Sequence, residues 1–276
     1  TEEAGGETRM NIRKILSTLT ILFLSVPHFY AQCTAENTAF QAGEELNYQL
    51  FFNWKFIWVN AGTATMSITQ TKHDNKSAYR AHLITRTSER LDRFFMMRDT
   101  LLSIVTEDLS PIYYKKGANE GGRYYVDEVW YSYPNGVTHL RQRYKNRDGV
   151  VTEKTYDSPK CLYDMMSMLL RARSFRAEDF QVGEKLHLPM ADGHKVEDVT
   201  LIYRGRESFQ MRSNGKNYRC LVFSFVEYPD GEEKEIITFY ISDDMNHIPV
   251  RLDMYLRFGV AKAYLTDSKG LRHKNK

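Results

Sequence analysis

Two groups of potential metal ligands stand out in this chain of 276 residues. His187 lies close to Asp192 and His194, and the pair Asp243-Asp244 precedes His247. Neither group has the two-histidine helical spacing or the paired cysteines of a dedicated zinc site. Short carboxylates beside Gly or Asp are also typical of turns. The sequence therefore predicts no metal ligands and no cofactor.

Hydrolytic chemistry needs a nucleophile beside a base, or paired carboxylates in a cleft. The sequence has no G-x-S-x-G elbow and no glycine-rich phosphate loop. Glu120, Asp127 and Glu128 could form an acid pair, although they equally fit the solvated face of a strand. We predict no catalytic residue. A carbohydrate-active enzyme using Asp127, Glu128 or Asp243, or a glycan-binding protein, remains an alternative.

The segment Ser242–His247 is predicted to be a structural turn between two strands. Ser, Asp and Asn close such turns by bonding their own backbone. We therefore expect Asp243 to stabilise the turn, rather than to act on a ligand.

Aromatic residues alternate at Phe52, Trp54, Phe56 and Trp58. On an unbroken strand, alternate side chains share one face. Such a stripe could bind a lipid tail or stack on sugar rings. If Asn53–Lys55 is instead a hairpin tip, the aromatics fill the core at one end of a sheet.

The segment Leu162–Ser174 has the apolar spacing of an amphipathic helix, with Asp164 able to cap its start. The predicted stripe consists of Leu162, Met165, Leu169 and Ala172, widened by Met166 and Leu170. Methionines adapt to irregular ligands, so this face could line an apolar cavity. It could equally plug a curved sheet.

These patterns lead to one functional prediction with alternatives. We expect a non-enzymatic protein that binds an apolar or amphipathic, lipid-like ligand between sheet and helix. The predicted lining consists of Trp54, Phe56, Trp58, Met165, Met166 and Leu169. A structural or interaction module, with an envelope protein as partner, would instead use edge strands and the basic face Arg141–Arg147.

Period-2 alternation after residue 40 predicts strands separated by short turns. The predicted segments are 45–52, 57–70, 78–87, 100–106, 112–116, 123–133, 137–144, 150–156, 185–188, 196–203, 218–227, 235–242, 249–258 and 260–266. The predicted fold is all-β and mainly antiparallel. It is a curved meander sheet or incompletely closed β-barrel, with one amphipathic helix packed on the concave side.

Residues 10–31 have the basic head and short apolar run of a secretory signal peptide. Residues 1–9 are interpreted as an upstream extension without structural role. Residues 40–268 are predicted to form one β domain, with sheet halves 40–158 and 180–268 around the helix 162–174. We expect export to the periplasm or outer membrane of a Gram-negative bacterium, with no transmembrane span after cleavage.

Charge and cysteine content add two limits. The formal net charge of +3 is ordinary for a soluble surface and does not indicate a nucleic-acid partner. Gln32 before Cys33 fits lipoprotein processing poorly, so cleavage after Ala31 is favoured over a lipid anchor. Cys161 and Cys220 could form a disulfide.

Several motifs resemble one bacterial family. They are Phe40–Leu46, Ala61–Ala64, Tyr163-Asp164, Phe180–Leu186 and, most specifically, Phe239–Asp244 with Ile248–Arg251 and Phe258-Gly259. Together they resemble the exported family of domain of unknown function 3108, and Asn53–Trp58 resembles its Bacteroidetes branch. The resemblance implies an envelope protein of antiparallel strands. It implies no activity, cofactor or site residue.

Overall fold

The protein is described by a computed structural model that covers residues 33–54, 57–211, 215–256 and 259–274. These residues belong to one compact unit. The predicted extension and signal peptide lie outside them. No helix among them is long and apolar enough to cross a membrane.

Fourteen strands in the described chain form a single sheet. They are β1 Glu45–Trp54, β2 Ile57–His73, β3 Lys76–Thr87, β4 Met97–Thr106, β5 Pro111–Glu120, β6 Arg123–Ser132, β7 Thr138–Lys145, β8 Val151–Ser158, β9 Lys185–Ala191, β10 Val196–Gln210, β11 Asn217–Glu227, β12 Lys234–Ser242, β13 Pro249–Leu256 and β14 Gly259–Lys269. Each predicted segment corresponds to one of these strands.

The sheet is an antiparallel meander with β1 paired to β14, in the order 8-7-6-5-4-3-2-1-14-13-12-11-10-9. The two edge strands, β8 and β9, do not pair with each other in the described chain. The predicted all-β, mainly antiparallel and incompletely closed architecture is confirmed. Period-2 patterning was sufficient because short turns make most sequence neighbours also neighbours in the sheet.

Two α-helices lie in the described chain: α1 Glu89–Asp92 and α2 Met165–Ala172. Helix α2 lies in the connection between β8 and β9 and packs against β4. Asp164 caps it as predicted, because its Oδ1 accepts hydrogen bonds from the backbone N–H groups of Met166 at 3.0 Å and Ser167 at 2.8 Å.

The sheet is curved so strongly that the hairpin at one edge, β9–β10, lies over the inner face of the sheet. The connection between β9 and β10 packs against β6 and β7, where a Cβ added at Gly193 would lie 2.6 Å from Asp127 Cα. The Gln142 amide donates a hydrogen bond to the Lys195 carbonyl at 3.0 Å. Val129 and Leu140, on the same face as Asp127 and Gln142, lie in the core.

The disulfide joins Cys33 to Cys161, with a Cα–Cα distance of 5.2 Å. The predicted pairing of Cys161 with Cys220 is therefore wrong. Cys220 is a free, buried thiol on β11, where it lies opposite Ser242 of β12. The first described residues run beside α2, since the Arg171 guanidinium donates to the Cys33 carbonyl at 3.2 Å. That path brings Cys33, not Cys220, to the start of the helix.

Candidate functional site

The predicted lining residues fall into different environments. Met166 is in the core, Leu169 is partly buried against it, and Met165 and Trp58 are 49% and 44% exposed. Phe56 lies outside the described residues, as does the side chain of Trp54. The structure thus brings Met166 and Leu169 together and leaves Met165 and Trp58 on the surface.

The space between α2 and the sheet is filled by side chains. Leu162, Met166 and Leu170 are almost completely buried in one core that includes Leu101 and Leu140 of the sheet. The buried stripe of α2 is therefore shifted by one residue from the predicted stripe.

Two shallow surface depressions occur elsewhere in the described chain. One lies at residues 181–184, and the other is lined by Thr38, Met245, His247 and the pair Asp243-Asp244. Neither lies between α2 and the sheet.

A buried acid lies at the start of α2. Ser103 Oγ donates a hydrogen bond to Asp164 Oδ2 at 3.2 Å, in addition to the two backbone bonds of the cap. Burial raises the pKa of Asp164 to about 6, although hydrogen bonds from Ser167, Ser103 and Met166 act in the opposite direction. The carboxyl group is enclosed on all sides, so it serves the helix cap rather than a ligand.

A second polar group lies where the last hairpin covers the inner face. His194 Nδ1 is 3.1 Å from Asp127 Oδ1 and 3.1 Å from Asp192 Oδ1. We call Asp127, Asp192 and His194 the latch. Burial raises the pKa of Asp127, while the hydrogen bond to His194 lowers it.

Sequence spacing identified only part of the latch. It grouped His187 with Asp192 and His194, but His187 contacts Thr200 across the β9–β10 pair, with Nδ1 3.3 Å from Oγ1. Asp127 was considered only as an acid. Its position beside His194 depends on the rolling of the sheet.

The acids considered for hydrolysis do not converge. Glu128 lies on the opposite face of β6 from Asp127, where Tyr113 Oη and Arg143 Nη1 each donate to it at 2.7 Å. Glu120 Oε2 is 3.3 Å from Arg147 Nη2. These carboxylates are held by separate partners.

The turn at Ser242–His247 is closed by Asp244, so the prediction for Asp243 is wrong. Asp244 Oδ1 accepts hydrogen bonds from the backbone N–H groups of Asn246 at 2.8 Å and His247 at 3.2 Å. Asp243 pairs with arginines instead: its Oδ2 lies 3.0 Å from Arg206 Nε and 2.7 Å from Arg219 Nε.

Exposed apolar side chains concentrate at one end of the strands. In an antiparallel meander, successive connections alternate between the two ends of the strands. The connections that lead from an odd-numbered strand to the next even-numbered one, from β1–β2 to β13–β14, therefore all lie at one end, which we call the tip end. Of the sixteen large hydrophobic residues that are exposed in the described part of the chain, ten lie in these connections or within two strand residues of them. They are Ile57, Trp58, Phe94, Phe95, Tyr124, Val150, Val151, Tyr228, Tyr255 and Leu256.

Charge is unevenly distributed over the tip end. Around the connections from β3 to β8, exposed basic residues outnumber acidic ones; the basic residues are Arg86, Arg90, Arg93, Arg123, Lys145 and Arg147. The β11–β12 connection is acidic instead and contains Asp230, Glu232 and Glu233. Phe94, Phe95 and Tyr124 therefore lie on the basic side.

Comparisons with known proteins give a family and one similar structure. The family profile described as "Protein of unknown function (DUF3108)" matches residues 47–266. No curated protein matches the chain. A similar solved structure is a β-barrel-like protein of domain of unknown function DUF1849 from Brucella abortus, with 11% identity, a TM-score of 0.49, and coverage of 82% of this chain and 96% of that one.

Proposed function

The chain belongs to the DUF3108 family of proteins of unknown function, and from that premise we propose that it is an exported, non-enzymatic envelope protein that binds an anionic lipid surface through its tip end. The concentration of exposed aromatic and aliphatic side chains at the tip end, next to arginines, supports the proposal. The ligand class is the amphipathic, lipid-like one predicted from the sequence.

Export is supported by two features that meet at Cys33. The signal-peptide pattern ends just before this residue. Its disulfide with Cys161 is of a kind that persists in oxidising compartments such as the periplasm and is rare in the cytosol. A cysteine held in this disulfide is not available for a lipid anchor, which favours simple cleavage.

The tip end has the chemistry of a membrane-interface surface. Trp, Tyr and Phe place an apolar ring among acyl chains, and Trp and Tyr also keep a polar atom at the headgroups. Arginines nearby are attracted to anionic headgroups by about 1 kcal/mol each. Ile57 and Phe94 are 68% and 73% exposed, so burial of either one in lipid would add about 1–2 kcal/mol.

The proposed ligand position differs from the one expected from sequence. Met166 and Leu170 already fill the space between α2 and the sheet, so a lipid there would have to displace core side chains. Binding at the tip end needs no such rearrangement.

The alternatives have less support. The Arg141–Arg147 face is largely partnered, because Arg141 stacks 3.8 Å from the Trp130 ring centroid and Arg143 pairs with Glu128. A glycosidase that used Asp127 with Glu128 would need these two carboxylates to converge. Glu128, on the other face of β6, does not meet Asp127.

Vesicle co-sedimentation tests the proposal. We expect the mature protein to bind vesicles of phosphatidylglycerol and phosphatidylcholine in low salt, and to bind pure phosphatidylcholine more weakly. Ile57→Ser combined with Phe95→Ser should reduce binding at least about tenfold, since each loses roughly 1–2 kcal/mol of lipid contact. Val137→Ser with Met245→Ser, exposed hydrophobic residues outside the tip end, is the matched control.

Equal binding by both double variants, or no binding by the unaltered protein, would overturn the proposed surface. Export is tested separately by fractionation of the native host. Protein in the periplasmic fraction should resist thiol labelling at Cys33 and Cys161 until it is reduced. A cytosolic protein with reactive thiols at these positions would contradict export.

A further inference from the structure

A hydrogen bond from His194 to one carboxylate would not require a second carboxylate at the same distance, as the latch has. One nitrogen, His194 Nδ1, lies 3.1 Å from a carboxylate oxygen of each of two acids. Ligating atoms of all three residues lie within 4.8 Å of one another. Neighbouring ligands of an ion bound at about 2.1 Å lie roughly 3.0–3.4 Å apart, so both distances from His194 Nδ1 match the spacing within one coordination sphere.

The three side chains are positioned by contacts that do not depend on an ion. Asp192 Oδ1 accepts hydrogen bonds from the backbone N–H groups of His194 and Lys195, both at 2.9 Å. Gly193 fits against Asp127 with no room for a side chain. The ligands therefore come from a fixed turn and from β6, 65 positions apart in sequence, with little freedom to separate.

The charge around the latch is unbalanced. Within the described parts of the chain, His194 is the only basic side chain within ion-pair distance of Asp127 or Asp192. Lys195 pairs with Glu197 at 2.7 Å instead, and Lys154 Nζ donates to the His194 carbonyl oxygen at 3.3 Å. Two carboxylates with one imidazole leave a net negative site.

The latch is also open on one side. The Asp127 side chain is almost completely buried, whereas that of His194 is 42% exposed. Water can therefore occupy coordination positions facing solvent. Asp192 Oδ1 both lies at this spacing and accepts the two backbone hydrogen bonds, so an ion bound there shares that oxygen with the turn.

From these observations we propose that Asp127, Asp192 and His194 bind one divalent transition-metal cation of the Zn²⁺ class. Imidazole nitrogen and carboxylate oxygen suit such ions, and three protein ligands with solvent at the remaining positions form an open site. The cation joins the β9–β10 connection to β6 and so fixes the hairpin that closes the rolled sheet. The site uses none of the exposed apolar residues of the tip end.

Calorimetric titration of chelator-treated mature protein with Zn²⁺ tests the site. We expect one saturable site, with much weaker binding of Mg²⁺. His194→Gln and Asp192→Asn should each weaken Zn²⁺ binding at least tenfold, while their far-UV circular dichroism without metal stays unchanged. Cobalt(II) added in place of zinc should give visible absorption bands in the unaltered protein and lose them in His194→Gln.

The matched control is His139→Gln. His139 Nδ1 also contacts an aspartate, Asp157 Oδ1 at 2.5 Å, but no third ligand among the described residues completes that pair. This variant should bind Zn²⁺ like the unaltered protein. No saturable binding, or equal binding by the His194→Gln and His139→Gln variants, would show that the latch is a hydrogen-bonded cluster and would overturn the proposal.

Discussion

The side chains around α2, which we call the helix region, are enclosed in the protein, whereas many of those at the tip end are exposed to solvent. Around α2, even a cation is enclosed: the Arg173 side chain is 0% exposed and pairs with Glu44, which is 1% exposed. At the tip end, Ile57 and Phe94 remain largely in solvent. This difference indicates that the helix region stabilises the fold and that the tip end is exposed for contact with other molecules.

Both members of the buried ion pair in the helix region are held by hydrogen bonds. Arg173 Nη1 and Nη2 donate to the two Glu44 oxygens at 2.5 and 2.9 Å. Nη2 also donates to the Asn246 carbonyl at 2.9 Å and Nε to the His247 carbonyl at 3.2 Å. A buried charge is tolerated when it is paired and hydrogen-bonded in this way. This one pair joins α2, the start of β1 and the β12–β13 turn.

Loss of the disulfide should be the largest single effect on the helix region. Cys33 and Cys161 are 128 positions apart, and the loop-entropy model gives about 5 kcal/mol for a loop of that length. Cys33→Ser with Cys161→Ser should therefore lower the free energy of unfolding in urea by about that amount. Ile57→Ser, at the tip end, should change it by less than about 0.5 kcal/mol. Equal losses of unfolding free energy in the two variants would contradict the expected difference in stability between the helix region and the tip end.

Breaking the buried ion pair should cost nearly as much. Arg173→Met leaves Glu44 charged and enclosed, so we expect a loss of about 3–5 kcal/mol in urea unfolding. Glu44→Leu with Arg173→Met removes both charges and should recover part of that loss. Glu45→Gln, in the exposed pair with Lys269, is the control and should cost far less than Arg173→Met. A loss in the double variant as large as in Arg173→Met would contradict this explanation.

The two sides of α2 provide a smaller-scale test. Leu170 is completely buried, so Leu170→Ala should lower the free energy of unfolding by about 3 kcal/mol. Met165→Ala should cost less than about 0.5 kcal/mol, because Met165 is half exposed. Chemical denaturation of both variants measures the difference. A large loss of stability in Met165→Ala would instead support the stripe predicted from the sequence, in which Met165 faces the core.

Sequence patterns predicted the strands well because their signal is local. Alternation with a period of two identifies a half-buried strand without knowledge of its partner. The helix was also found, together with its cap at Asp164. Its buried side was predicted only in part, because a run of consecutive apolar residues fits two adjacent stripes: Met166 and Leu170 are buried, whereas Met165 is half exposed. Arg173 in the buried stripe makes sense only with Glu44, 129 positions away.

The parts that escaped prediction depend on distant segments. The overlap of the β9–β10 hairpin on β6 brings Asp127 to His194, 67 positions away, and no local pattern encodes that contact. Cysteine spacing likewise left the pairing open, and the path of the first described residues decided it. The tip end shares this property, because its apolar residues are scattered singly along the sequence and meet only through the antiparallel order of the strands.

The buried acid at Asp164 should make stability depend on pH. Its folded-state pKa is about 6, above the ordinary value of 3.8, so the folded protein holds this proton more tightly than the unfolded chain. Its contribution is therefore greatest below about pH 4 and decreases as pH rises through 6, by roughly 2–3 kcal/mol. Unfolding in urea from pH 4 to 7 measures the change.

Asp164→Asn is the control for that measurement. Asparagine still accepts the cap hydrogen bonds but does not titrate, so this decrease in stability between pH 4 and 7 should disappear. The same decrease in the unaltered protein and in Asp164→Asn would mean that another group is responsible.

The smallest expected difference separates two adjacent acids. Asp244 is exposed but closes the turn by accepting two backbone hydrogen bonds, so Asp244→Ala should cost about 1 kcal/mol. Asp243 forms ion pairs with the well-exposed Arg206 and Arg219, which are worth little in water, and Asp243→Ala should cost less than about 0.5 kcal/mol. Thermal melts of the two variants at one pH compare them directly. A larger loss at Asp243 would mean that surface charge, rather than the backbone bonds of the turn, holds β12 and β13 together there.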